Sequence, residues 1–239
     1  MRYERICAGE FLARPNRFEA DVKINGECVR VHVCNTGRCR ELLVAGAKVY
    51  LADRQSAARK TRYDLVCVEK RGEDGSVRLI NMDSAAPNRA VEQWLIEQGA
   101  SLRREVMCGD SRFDFCLDGE KGRTWIEVKG VTLERDGIAL FPDAPTERGR
   151  KHLLSLIERK RAGEGARVIL VIQMEGIRAF APNDETDPAF ADALRAAWKA
   201  GVRIEAYGCR VTPDSMQIQD PIPVYPFGIP EEIKKAAST

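Results

Sequence analysis

The sequence predicts two joined domains: a small β-barrel of the oligonucleotide-binding type over residues 1–82, and an α/β domain with a mixed sheet over residues 83–239. Three observations carry this. Residues 6–80 break into short alternating segments separated by turn signals, the pattern of a small all-β unit. Near Asp83 the period changes, and amphipathic helices begin to alternate with strands. The stretch "ARVILVIQM" holds a continuous apolar run, the mark of a strand covered on both faces.

In the first part, "FEADVKINGECVRVHVCN" contains two alternating runs around Asn25-Gly26, a strong short hairpin signal. "AKVYLAD" follows Gly46, and "YDLVCVEKRGEDGSVRLINM" is a second hairpin pair around Gly72 to Gly75. That makes about five strands, with one short helical turn near Arg40 to Val44. The count suits a closed barrel and suits a small open sheet nearly as well. In the second part, Pro87 opens a helix that carries Val91, Trp94 and Leu95 and stops at Gly99. Strands are expected at 102–107, 112–117 and 124–129, forming an antiparallel meander. "ERGRKHLLSLIERKRAGEG" spaces Leu153, Leu156 and Ile157 along one helical face. A strand at 168–173, a helix at 188–200 and the strand "VRIEAYGC" complete the pattern. The tail "DPIPVYPFGIPEEIKKAAST" reads as extended over the surface.

The 239 residues are 44% hydrophobic and 31% charged, ordinary for a soluble globular chain. No apolar run approaches the roughly 18 residues of a membrane span. The N-terminus lacks the apolar stretch of a signal peptide, so the expected compartment is the cytoplasm and no membrane partner is expected. The eight cysteines show no C-x-x-C pair and read as reduced thiols packed as small hydrophobes. Net charge is only +2, but residues 1–85 carry 16 Lys and Arg against 12 Asp and Glu. The basic excess of that part is compatible with a nucleic-acid partner.

"TWIEVKG", residues 124–130, places Glu127 and Lys129 on one strand face and Ile126 and Val128 on the other. Upstream, "SRFDFCLDGEKGR" has glycines at both ends of a turn over residues 118–123. A hairpin symmetric about that turn sets Asp114 opposite Glu127, Arg112 opposite Lys129, Phe113 opposite Val128 and Phe115 opposite Ile126. One face is then apolar, and the other holds Asp114, Glu127 and Lys129 with Arg112 beside them. Opposed carboxylates repel at that spacing and call for a compensating charge. Mg²⁺ (or Mn²⁺) supplies it, because it takes one or two carboxylates and completes its shell with water and phosphate. Lys129 is then placed to orient water and stabilise charge on a phosphate. A salt-bridged polar strand is the competing explanation of the same residues.

An acidic residue on one strand and E-x-K on the next, within α-β-β-β-α-β, resembles the PD-(D/E)xK nuclease superfamily. The blocks "HVCNTGRCRELL", "LINMDSAAPNRAVEQWL", "SRFDFCL", "WIEVKGVTL", "LFPDAPTERGRKHLLSL" and "VILVIQM" resemble the sugar fermentation stimulation protein A (SfsA) family, in order from about residue 31 to 174. The resemblance implies a barrel of the oligonucleotide-binding type joined to a nuclease-like domain. It also implies DNA binding with little sequence preference and a link to regulation of sugar (maltose) utilisation. Carried over residue by residue, it makes Asp114, Glu127 and Lys129 the catalytic core, with Asp114 and Glu127 as metal ligands and Glu92 as an accessory acidic ligand. Phe113 stands where the superfamily's literal motif has proline. The reaction expected is hydrolysis of a DNA phosphodiester. A DNA-binding regulator without turnover, and a hydrolase of RNA or another phosphate ester, are the alternatives. The sequence leaves open whether the chain acts as a homodimer.

Basic residues mark candidate nucleic-acid contacts: Arg14 and Arg17 beside Phe18, Arg38 and Arg40 at a turn, and Arg59, Lys60 and Arg62 with Arg54 in a loop beside Tyr63. Arg148 and Lys151 follow at a helix N-terminus with Thr146, a location that attracts anions. His32, Cys34 and Cys39 lack the fourth ligand of a structural zinc site. They read instead as a strand face followed by an Asn35-Thr36-Gly37-Arg38 turn whose Asn and Gly take unusual backbone angles. His152 is not required by the metal mechanism.

Overall fold

The computed structural model describes residues 1–35, 37–56, 58–72, 75–119 and 122–235. Thr36, Glu73 and Asp74 in two expected turns, and Glu120 and Lys121 in a third, lie outside the described residues.

The barrel is built from β1 (Ile6–Asn16), β2 (Glu19–Ile24), β3 (Glu27–Val33), β4 (Lys48–Asp53) and β5 (Tyr63–Arg71), with β6 (Val77–Asn81) added beside β5. The strand order is β3-β2-β1-β4-β5-β6, and a parallel β3–β5 pairing at His32↔Asp64 and Val33↔Leu65 closes the ring. Closure satisfies the strand edges that an open sheet would leave bare. Asn25 and Gly26 both take positive φ, at 51° and 90°, as a two-residue hairpin of the primed type requires. The segment Ile6–Asn16 was not among the five strands expected, although alternation runs through it. The helical turn expected near Arg40 appears as Leu43 N–H donating to the Cys39 carbonyl at 2.9 Å.

The second domain opens with α1 (Ala86–Glu97) and the meander β7 (Leu102–Cys108), β8 (Ser111–Gly119) and β9 (Gly122–Val131). After β10 (Leu133–Arg135) and β11 (Ile138–Phe141) come α2 (Glu147–Arg161), β12 (Gly165–Ile172), β13 (Ala179–Pro182) and α3 (Pro188–Lys199). β14 (Arg203–Thr212), β15 (Ser215–Ile222) and α4 (Glu231–Lys235) finish the chain. The main sheet runs β15-β14-β12-β9-β8-β7. β12 lies parallel between β9 and β14, which explains its two-sided apolar run. A three-stranded sheet, β10-β11-β13, was not foreseen; its strands have only three or four residues, too short for periodicity to register. The tail is not simply extended over the surface. Its first residues complete β15 against β14, and Glu231–Lys235 is helical.

Apolar residues of α1 (Ala90, Val91, Leu95) pack with Phe115, Ile126, Val128, Ile169 and Val171 on one face of the main sheet. On the other face α2 and α3 pack Leu153, Leu156, Phe190 and Leu194 against Phe113, Trp125 and Val168, in a core continuous with the barrel interior. The domains also share a buried polar junction. The Tyr3 hydroxyl donates to Asp83 at 3.1 Å, and the Asn81 amide donates to the Tyr3 oxygen at 2.9 Å. Gln173 Nε2 donates to the Asn81 and Asp83 carbonyls at 3.0 and 3.2 Å. No described helix is long and apolar enough to cross a membrane.

Removing the Gln173 amide takes a buried donor from the Asn81 carbonyl and side-chain oxygen, and leaves the Asp83 carbonyl only the Ala86 N–H at 3.0 Å among the described residues. Gln173→Ala is therefore expected to lower unfolding free energy by about 1–3 kcal/mol, read from the midpoint of urea denaturation; an unchanged midpoint would show that the junction contributes nothing.

Candidate metal centre and nucleic-acid surface

The β8–β9 register is the expected one: Gly119↔Gly122, Asp118↔Arg123 and so on to Phe115↔Ile126. The paired ladder ends there, one residue short of Asp114 and Glu127. Instead, the Asp114 carboxylate accepts the Val128 N–H at 2.8 Å, so a side chain replaces the backbone partner. Across β8 on its other side, Glu105 takes a positive φ of 49°, and the 105/114 pair is absent from the β7–β8 register. The chain therefore twists at Asp114, and two expectations are corrected. Phe113 and Phe115 do not share a face: Phe113 packs with Trp125 at 5.5 Å between ring centroids, whereas Phe115 joins Ile126 and Val128 on the α1 side. Arg112 is not paired with Lys129, because the β8–β9 ladder stops at Phe115↔Ile126; its side chain forms an ion pair with Glu105 at 3.4 Å.

Strand alternation turns Glu127 and Lys129 toward α2, while Ile126 and Val128 pack on the α1 side. Glu127 is 3% exposed. Its Oε1 accepts from Lys129 Nζ and also contacts His152 Nδ1. Among the described residues its Oε2 has no hydrogen-bond partner although it is buried. Asp114 Oδ1 accepts from Asn88 Nδ2 of α1 at 2.7 Å. Burial, and then the Glu127 charge, push the Asp114 carboxyl above its ordinary range. Burial would also push Glu127 up, but the His152 hydrogen bond and the Lys129 charge outweigh it and hold Glu127 low. The two carboxylates thus sense each other, and one carries an unpartnered buried oxygen. Such an oxygen is unusual in a folded interior, and it is the donor a divalent cation needs. The residues present fit a hard cation held by Asp114 and Glu127, with water and phosphate completing its shell.

Glu92 stands apart from this pair in its contacts. One turn beyond Asn88 on α1, it forms an ion pair with Arg104 of β7 at 3.3 Å. His152, set aside in the sequence, is at the centre. It occupies the buried stripe of α2 with Gly149, Leu153, Leu156 and Ile157, and an imidazole on an otherwise apolar helical face was the signal available. Asn88 had no comparable signal.

The basic residues divide into two groups. The Arg14 guanidinium donates to the carbonyls of Arg17, Asn35, Gly37 and Arg38 at 2.7–2.9 Å, clamping that loop to the barrel. Lys60 forms an ion pair with Glu19 at 3.1 Å, Arg62 pairs with Asp53 at 2.6 Å, and Arg59 pairs with Asp64. Arg17, Arg38, Arg40, Arg148 and Lys151 are exposed and, among the described residues, make no ion pair. Gly37 comes close to the start of the second domain's helical layer: a side chain there would meet the Asp143 carboxylate, which would have to shift. The barrel loop bearing Arg38 therefore sits against the segment that leads into α2, where Arg148 and Lys151 begin the helix. Thr146 caps that helix by accepting the Gly149 N–H at 3.0 Å.

His32 and Cys34 do share a face, with His32 Nδ1 3.6 Å from Cys34 Sγ. Their third neighbour is Asp64 rather than Cys39; Arg54 holds that carboxylate at 2.5 Å, together with Arg59. Cys39 is instead buried in the core. The unusual backbone angle falls on Cys39, at φ 43°, and neither Asn35 nor Gly37 has a positive φ.

The raised Asp114 pKa carries a sign. The folded chain keeps that proton after the unfolded chain has released it, so the stabilisation is complete below pH 3.8 and is lost as pH rises through the folded value. The thermal stability of metal-free Asp114→Asn, relative to the unaltered protein, should therefore climb as pH rises above 3.8; a flat or falling difference would contradict the raised pKa.

Comparison with known proteins agrees with this architecture. Residues 12–77 match a family model described as the SfsA N-terminal OB domain, and residues 85–215 match one described as the sugar fermentation stimulation protein RE domain. A sugar fermentation stimulation protein homolog of Desulfitobacterium hafniense is 48% identical over 224 residues, covering 92% of this chain and 96% of the relative. One from Clostridium kluyveri is 46% identical over 230 residues, covering 93% and 98%. The structure of Pyrococcus furiosus SfsA in complex with Ca²⁺ superimposes with a TM-score of 0.82 at 28% identity, covering 94% of this chain and 98% of that one. A match of this extent across both domains establishes that the chain belongs to the sugar fermentation stimulation protein (SfsA) family.

Proposed function

We propose that the protein binds DNA through backbone contacts and hydrolyses its phosphodiester bonds with the help of Mg²⁺ or Mn²⁺. The observation that carries this reading is the buried, unpartnered Oε2 of Glu127 beside Asp114, with Lys129 on the same carboxylate. Asp114 and Glu127 would hold the ion. When bound, it supplies Lewis-acid polarisation of a phosphoryl oxygen and of water. Lys129, which is partly exposed, would bring an ammonium to the place where negative charge grows on the phosphate. Asn88 and the Val128 N–H hold both oxygens of Asp114, which fixes its rotamer before substrate arrives. The Pyrococcus furiosus relative was solved with Ca²⁺, a hard cation that prefers oxygen ligands, and this supports a carboxylate-bound hard cation here.

Arg38 on the clamped barrel loop, with Arg148 and Lys151 on the first turns of α2, offers phosphate contacts on either side of the Gly37–Asp143 approach. Contacts of that kind carry little sequence information and depend strongly on salt.

Purified protein incubated with plasmid and oligonucleotide DNA should cleave in Mg²⁺ or Mn²⁺ and not in chelator. Asp114→Ala and Lys129→Ala should each lose about 100-fold or more in rate while still binding DNA. Binding without metal-dependent cleavage would favour a regulator that does not turn over. Arg148→Ala and Lys151→Ala should weaken binding about equally on unrelated sequences, each reducing the salt slope by about one; sequence-selective loss would contradict backbone contact.

A further inference from the structure

We propose that His152 is a positioning residue: from α2 it holds one oxygen of Glu127 and thereby makes the other the single donor that Glu127 offers a divalent cation. This rests on the reading of Asp114 and Glu127 as a cation site. It adds a residue from a different element, outside the D…ExK pattern.

His152 occupies a core position. Its side chain is 6% exposed, it belongs to the buried stripe of α2, and the Phe113 ring lies 6.1 Å away between centroids. A leucine would suit that stripe. An imidazole there must find a hydrogen-bond partner, and the one it contacts is Glu127 Oε1.

Lys129 contacts the same oxygen but cannot alone define the carboxylate's rotation. Its ammonium ends a flexible four-carbon stem with three rotatable donors, and it stands only two residues away on the same strand. His152 differs on both counts. Its ring is rigid, and its helix is anchored independently of β9. Thr146, the cap of α2, also donates its N–H to Asp187 Oδ2 at 2.8 Å, and Asp187 in turn caps α3 by accepting from Phe190 N at 2.9 Å. The imidazole therefore refers the Glu127 carboxylate to the helical layer. With Oε1 doubly engaged, Oε2 remains buried and unpartnered. A carboxylate that offers one oxygen leaves the remaining positions around a hard cation to Asp114, water and phosphate.

The test is Mn²⁺ binding, followed by titration calorimetry and by the loss of the free-ion electron paramagnetic resonance signal. The proteins compared are the unaltered chain, His152→Gln, His152→Phe and His152→Leu, each checked for folding by thermal denaturation. Glutamine keeps an N–H donor for Glu127; phenylalanine and leucine keep apolar packing without one. Glutamine should retain affinity within about threefold, and the apolar variants should lose about 10-fold to 100-fold, as for other residues that orient a metal ligand. A merely structural role predicts the reverse order, because packing favours the apolar side chains. Equal affinity in all four proteins, or tighter binding by the apolar variants than by glutamine, overturns the role of His152 alone. Absence of Mn²⁺ uptake by the unaltered chain overturns the cation site itself, and this inference with it.

Discussion

A carboxylate buried at the middle of a β-sheet is the constraint around which this protein is arranged. Glu127 lies on β9, between β12 and β8 in a sheet covered on both faces. Leaving a buried polar group unsatisfied costs about 1–3 kcal/mol, and more when it is charged. The fold answers half of that demand with Lys129 and His152 at one oxygen and leaves the other oxygen unanswered. Asp114 adds a second acid whose pKa is driven up by burial and by its neighbour. Ionised Asp114 therefore costs stability, whereas the partners of Glu127 outweigh the burial of its carboxylate. Local departures of this kind are characteristic of functional sites.

The barrel is not a detached module. The junction of Tyr3, Asn81, Asp83 and Gln173 ties it to the sheet below, and Lys70 and Arg78 of the barrel both reach the buried Glu134 of β10. A third contact, Gly37 against Asp143, sets the loop held by Arg14 next to the start of α2. Basic side chains separated by more than a hundred residues are thereby gathered near the element that carries His152. Most of the remaining barrel cations are held by acids, among them the buried Asp64, which pairs with Arg54 and Arg59.

Much of this was legible in the sequence, for identifiable reasons. The turn at 118–123 is symmetric, so its register could be counted outward and gave the Phe115↔Ile126 pairing. Counting failed beyond that point because a side chain, Asp114, takes over a backbone partner, and the strand twists where it does so. Alternation cannot anticipate such a substitution, which is why Phe113 and Arg112 were misplaced. The strands β10, β11 and β13 escaped because three or four residues carry no period. His152 was readable as a polar residue on the apolar stripe of a helix, but chemistry that needs only two acids and a lysine gave no reason to single it out. The pairing of Asp64 with His32 depends on barrel closure, a contact that no local spacing encodes.

Crystals of the protein soaked in Mn²⁺ and measured at an anomalous wavelength address the central claim most directly. The arrangement predicts one strong peak in contact with Glu127 Oε2 and an Asp114 oxygen. Density confined to other sites, such as the His32–Cys34–Asp64 group, or no peak between the two carboxylates, would contradict it.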